Sequence, residues 1–163
     1  MHVARKRMTS KPRAGLMLAS LLTLTLSGCG GDDPTDIQDT IDDLVGTWNI
    51  TSLMYTPAAG GASVEGVQAG TSGTITFRQD LSYTLTFQET GPPPVTDMED
   101  GTFSVAGDVL TIVPDDAPLD PSDLEIQSLT STTARLFQAD DEYDFDDDGF
   151  DEPATTTVVL QKP

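Results

Sequence analysis

From Leu44 onward, apolar and polar residues alternate with a period of two. The pattern is sharpest over Leu81–Gln88, where Leu81, Tyr83, Leu85 and Phe87 share one face and Ser82, Thr84, Thr86 and Gln88 share the other. Such alternation predicts a half-buried β-strand. Less regular versions predict seven more strands, over Leu44–Tyr55, Thr74–Arg78, Gly101–Val105, Val109–Val113, Leu124–Leu129, Ala134–Gln138 and Thr155–Gln161. No long helix is predicted. Residues 44–163 are the right length for one domain with one core.

The connections suggest how the strands are joined. Counting strands in order, the second and third are linked by Gln79-Asp80, the fourth and fifth by Ala106-Gly107-Asp108, and the sixth and seventh by Thr130–Thr133. The alternate links are long: Thr56–Gly73, Glu89–Asp100, Pro114–Asp123 and Ala139–Ala154. In an up-and-down meander the short links gather at one end and the long ones at the other. The expected fold is therefore all-β, an eight-stranded antiparallel up-and-down barrel with a tight end and a loop-rich mouth. Closure also removes the exposed edges of an open sheet.

The N-terminal segment changes the destination of this domain. Arg5, Lys6, Arg7, Lys11 and Arg13 precede a stretch, Leu16–Leu26, that is apolar apart from Ser20, Thr23 and Thr25, and small Ser27 and Gly28 follow. This is the layout of a secretory signal, too short to span a bilayer. Leu26-Ser27-Gly28-Cys29 resembles the lipobox of bacterial lipoproteins at every position. The resemblance implies cleavage after residue 28, acylation of Cys29 and anchoring in a lipid bilayer, which two or more acyl chains make firm. It also implies sorting to the outer membrane of the cell envelope, since Gly30 stands where an aspartate would signal inner-membrane retention. Cys29 is the single cysteine, so no intramolecular disulfide is possible.

Residues 29–43 read as a lipidated acidic tether, rich in Gly and Asp and poor in apolar residues. Ile37, Ile41 and Leu44, spaced i, i+4, i+7, allow its end to form a short amphipathic helix against the domain; a disordered tether is the alternative.

Only Arg78, Arg135 and Lys162 remain after the signal is removed, against 27 acidic residues, which leaves a net charge of −24. Such a surface repels nucleic acid and attracts divalent or organic cations. Solvent-facing carboxylates of a salt-adapted protein are the other reading of this charge. The only histidine, His2, leaves with the signal. Ser-His and Cys-His nucleophiles are therefore excluded, and a non-catalytic protein is expected. A carboxylate pair for glycoside hydrolysis remains formally open. Nothing in the pattern calls for an oligomer, so a monomer is expected.

The run Asp43-Leu-Val-Gly-Thr-Trp48, followed by the eight strands, resembles the opening of a bacterial lipocalin-like lipoprotein, a calycin-type barrel. The resemblance implies that Gly46 and Trp48 lie at the closed end, with the indole near a basic residue from a late strand. Arg135, on the seventh predicted strand, is the residue expected there. It further implies a small apolar or amphipathic ligand held inside the barrel, and the charge of the protein adds a cationic one to the candidates. Ile75, Phe77, Tyr83, Leu85, Phe87, Phe103, Leu110, Ile112, Leu136 and Leu160 are the expected lining, with Tyr83 its one polar group. A barrel of this size can instead be filled by its own side chains, leaving a protein that displays acidic loops to a partner.

Those loops contain one motif. Nine of the thirteen residues from Asp140 to Glu152 are acidic, and Asp144, Asp146, Asp148 and Gly149 follow the D-x-D-x-D-G spacing of a calcium-binding loop. The Phe150 carbonyl and Glu152 would supply two further oxygens. Thr155 stands where a bidentate glutamate would close the shell, so Ca²⁺ affinity is expected in the weak extracellular range, about 10⁻⁴–10⁻³ M.

Overall fold

The computed structural model describes residues 34–67, 71–89 and 95–163, all within one compact unit. The signal segment, Cys29 and the start of the tether lie outside the described residues. The end of the tether is a helix, α1 (Pro34–Leu44). Leu44 is fully buried, and Ile37 and Ile41 pack on the same core, as their spacing allows.

Nine strands follow: β1 (Gly46–Pro57), β2 (Val64–Glu65), β3 (Thr71–Phe77), β4 (Ser82–Glu89), β5 (Val95–Ala106), β6 (Val109–Pro114), β7 (Ser122–Leu129), β8 (Thr133–Tyr143) and β9 (Glu152–Gln161). All pairings are antiparallel, in the order β2-β1-β3-β4-β5-β6-β7-β8-β9, and β1 also pairs with β9. Eight strands thus close into an up-and-down barrel, with β2 as an addition. The closing seam runs from Asn49↔Gln161 to Pro57↔Ala154, with a bulge between Ile50 and Ser52. On its other side β1 pairs with β3 from Gly46 to Ile50, and further along with β2 at Met54 and Tyr55.

The eight predicted strands are present, with shifted ends. β5 begins six residues earlier than its expected start at Gly101, and β8 continues to Tyr143 instead of stopping at Gln138. Both extensions are acidic and poor in strand-forming side chains, but pairing with β4 and β9 overrides that local preference. The loops at the mouth are correspondingly shorter than expected. β2 lies in the first long link, where two residues between glycine-rich stretches give no readable alternation.

The closed end is built around Trp48. Its indole N–H donates to the Leu44 carbonyl at 2.7 Å, tying β1 to the end of α1. The helix has no basic residue in its last turn. Lys162, just after β9, supplies the charge instead: its ammonium donates to the carbonyls of Asp43 (3.0 Å) and Val45 (3.2 Å) and sits 4.6 Å from the Trp48 ring centroid. A cation placed on these carbonyls satisfies groups the helix leaves open and complements its dipole. Gly46, at φ 132°, makes the turn from helix to strand, and the Lys162 side chain passes 3.4 Å from where a Cβ would lie.

Arg135 is not the partner of Trp48. It pairs in register with Ser128 on the outer face, and its guanidinium donates to Gln127 Oε1 at 3.0 Å. Alternation decides this: Ala134 and Leu136 are buried on either side of it, so Arg135 must point out.

Replacing Lys162 by Met should therefore cost about 1–3 kcal/mol, the range for charged hydrogen bonds plus a cation–π contact. Arg135→Met should be nearly neutral, and denaturant unfolding of the two variants compares them directly.

Candidate functional site

The inner face of the barrel divides into two zones. In the closed half, Leu44, Trp48, Ile50, Ile75, Phe77, Tyr83, Phe103, Leu110, Leu136 and Leu160 form a packed floor in which no residue is more than 7% exposed. Phe77 and Phe103 meet edge to face, 5.0 Å between centroids. Two glycines make room for rings: a Cβ on Gly73 would fall 2.8 Å from the Phe87 ring, and one on Gly101 would fall 2.6 Å from the Tyr83 ring.

Nearer the mouth the inward positions change character. Leu53, Leu85, Phe87 and Ile112 are only half-buried, although the cross-strand register pairs Leu85 and Ile112 with the inward neighbours Ile75 and Phe103. Hydrocarbon that points inward and still meets solvent marks an open cup above the floor. The expected lining therefore separates. Leu85 and Phe87, with Ile112, line the cup, whereas Ile75, Phe77, Tyr83, Phe103, Leu110, Leu136 and Leu160 are the sealed base beneath it.

The expectation that Tyr83 is the one polar group inside is overturned. On β5 the inward series runs Asp97, Glu99, Gly101, Phe103, Val105, and the outward residues between them are exposed. The Tyr83 hydroxyl donates to Glu99 Oε1 at 2.7 Å. Burial, together with that carboxylate, pushes the Tyr83 phenol far above its ordinary pKa. On the opposite part of the wall, Gln138 pairs with buried Thr156 and Asp141 with buried Ala154, which places both on the inner face. Thr156 Oγ1 donates to Asp141 Oδ2 at 2.5 Å.

Tyr55 and Tyr143 stack beside Asp141 with centroids 4.4 Å apart, and Phe145 meets Tyr143 edge-on at 5.0 Å. Burial first, then the charge of Asp141, pushes the Tyr55 phenol up to about 12. Below this wall Glu65 pins β2 to β1. Its desolvation would raise its pKa, but hydrogen bonds from Ser52 Oγ (2.7 Å) and the N–H groups of Leu53 (2.7 Å) and Val67 (3.0 Å) outweigh it and hold the carboxyl below the usual range.

Continuing the alternation of Phe103 and Val105 back through Asp97 and Glu99 would have placed these acids inside. Asp141 gave no such signal, because the irregular pairing between Gln138 and Asp141 breaks the count.

The acidic motif forms a compact loop at the mouth. One carboxylate oxygen each from Asp144, Asp146, Asp148 and Glu152 lies within 4.8 Å of the others. Gly149 (φ 88°) and Asp147 (φ 59°) turn the chain so that the N–H groups of Asp148 and Gly149 donate to Asp144. Phe150 turns its ring to solvent, 70% exposed, and its N–H donates to Asp148 Oδ1 at 2.8 Å. Beside the loop is a cleft of about 630 Å³ lined by Pro57–Gly60, Phe145, Asp146, Glu152 and Pro153.

The sequence model of the lipocalin-like domain family matches residues 44–136, and the chain belongs to that family. Among solved structures, a lipocalin-like protein from Bacteroides uniformis is 17% identical over 74% of this chain and 99% of its own, with a TM-score of 0.47. A Bacteroides eggerthii protein is 12% identical over 73% of this chain and 99% of its own, with a TM-score of 0.45. Lobster apocrustacyanin A1 is 10% identical over 79% of this chain and 66% of its own, with a TM-score of 0.47. Among curated proteins, none matches this chain in sequence.

The tyrosines provide a test of the inner wall. A phenol whose pKa is raised by folding contributes stability that is complete below its unfolded value, about 10, and is lost as pH climbs through the folded value. Thermal stability should fall between about pH 10 and 12, and Tyr55→Phe should make that fall shallower. Ultraviolet phenolate absorbance during the same titration should show Tyr55 and Tyr83 ionising late.

Proposed function

We propose that the protein is a non-catalytic carrier, anchored to the outer membrane through acylated Cys29, that holds one small amphipathic molecule in the cup of its barrel. The observation that carries this reading is the set of inward apolar side chains, Leu53, Leu85, Phe87 and Ile112, left half-exposed above a sealed floor. A barrel filled by its own side chains would bury them as thoroughly as Trp48 and Leu110. The lipocalin-like fold, whose members are generally ligand binders, supports the same reading, and so does the loss of every histidine with the signal. Because α1 enters at the floor, a tether running from Cys29 would leave the mouth facing away from the bilayer.

A second reading concerns the mouth loop, and the convergence of four carboxylates within 4.8 Å favours it. Hard cations such as Ca²⁺ take oxygen ligands in this arrangement. Asp144, Asp146, Asp148 and Glu152 would hold the ion, fixing the loop at the rim of the cup.

The cup is tested with a neutral naphthylamine fluorophore, which should bind the secreted domain and brighten. Ile112→Trp, which fills the space, should weaken that binding at least about tenfold, the loss expected when a snug apolar contact is blocked. A probe that stays dark with the wild-type protein contradicts the carrier reading. For the loop, millimolar Ca²⁺ should raise the melting temperature and Asp146→Ala should abolish the rise; an equal rise from sodium at matched ionic strength contradicts a calcium site.

A further inference from the structure

The geometry points to an organic cation as the ligand: we infer that the cup takes an amphiphile with an ammonium head and an apolar body. This rests on the carrier reading above and adds the chemical class. The lower cup is hydrocarbon, from Leu53, Leu85, Phe87 and Ile112. The upper wall is acidic on two sides, with Asp97 and Glu99 from β5 and Asp141 from β8, each at a comparable distance along its strand from the turns of the closed end.

No basic side chain balances these acids on the inner face. Of the three basic residues after Cys29, Arg78 binds Thr84 at an exposed turn, Arg135 lies on the outer face, and Lys162 is committed to the floor. The local hydrogen bonds leave capacity as well. Glu99 accepts from the Tyr83 hydroxyl, and Asp141 accepts from Thr156 and from the N–H of Glu142, while a carboxylate offers about four lone-pair sites.

The aromatic residues add a second element of recognition. Tyr55 and Tyr143 stand against Asp141, and Phe145 extends the group to the rim. Aromatic faces combined with carboxylates in a partly desolvated wall attract ammonium groups through cation–π and charge together. An anion placed at the same level would meet three like charges, and a neutral head would gain only a hydrogen bond and no charge attraction. An apolar body on the half-exposed hydrocarbon with its head among these groups satisfies both zones at once.

The test compares three probes of one shape, 4-phenylbutylamine, 4-phenylbutanol and 4-phenylbutyrate, by calorimetry on the secreted domain with chelator present. The amine should bind at least about tenfold more tightly than the alcohol, and the carboxylate should bind more weakly than either. High salt should narrow the gap between amine and alcohol. Glu99→Gln and Asp141→Asn each keep a hydrogen-bond acceptor, so the barrel should remain folded by circular dichroism; together they should reduce amine binding to the level of the alcohol while leaving alcohol binding unchanged. Equal binding of all three probes overturns the cation assignment and leaves the carrier reading standing. Absence of binding by every probe overturns both.

Discussion

The end of α1 is the constraint on which the rest of the barrel depends. A helix that stops against a core leaves carbonyls that must find partners, and a buried group without one costs about 1–3 kcal/mol. Here Trp48, at the start of the first strand, takes the carbonyl of Leu44, and Lys162, just past the last strand, takes those of Asp43 and Val45. The ammonium also lies over the indole. Since β1 and β9 form the seam that closes the barrel, floor and closure are the same event. Losing either partner loosens both.

A floor sealed in this way lets the upper half depart from ordinary core composition. Below, hydrocarbon is packed from Trp48 to Leu160. Above, the same inward positions carry carboxylates, an amide and phenols, and each costly group is given a local donor or acceptor: Tyr83 for Glu99, Thr156 for Asp141. Among the described residues no buried side-chain nitrogen or oxygen lacks a hydrogen-bond partner. The polar wall is thus a satisfied structure instead of a packing defect.

Much of this fold was legible in the sequence because the period of two survives in most strands. Leu81–Gln88 announces β4 within one residue, and the alternation of short and long links gives the meander. What was hidden lies where pairing acts against local preference. The acidic first half of β5 looks like a loop until its partners on β4 are known, and the two-residue β2 has no pattern at all. Lys162 was hidden differently. It stands outside the last strand, so alternation says nothing of it, and only the folded path of the chain brings it to a helix end 117 to 119 residues earlier. Asp144, Asp146, Asp148 and Glu152 lie close together for a simple reason: a short loop keeps sequence neighbours together.

The central claim is that the barrel is a cup and not a filled core. Native mass spectrometry of a Cys29→Ser form, secreted by its own host and purified without detergent, tests it most directly. A small-molecule adduct that disappears when Ile112→Trp fills the space is the predicted result. A bare polypeptide, unchanged in mass by that substitution beyond the residue itself, would contradict it.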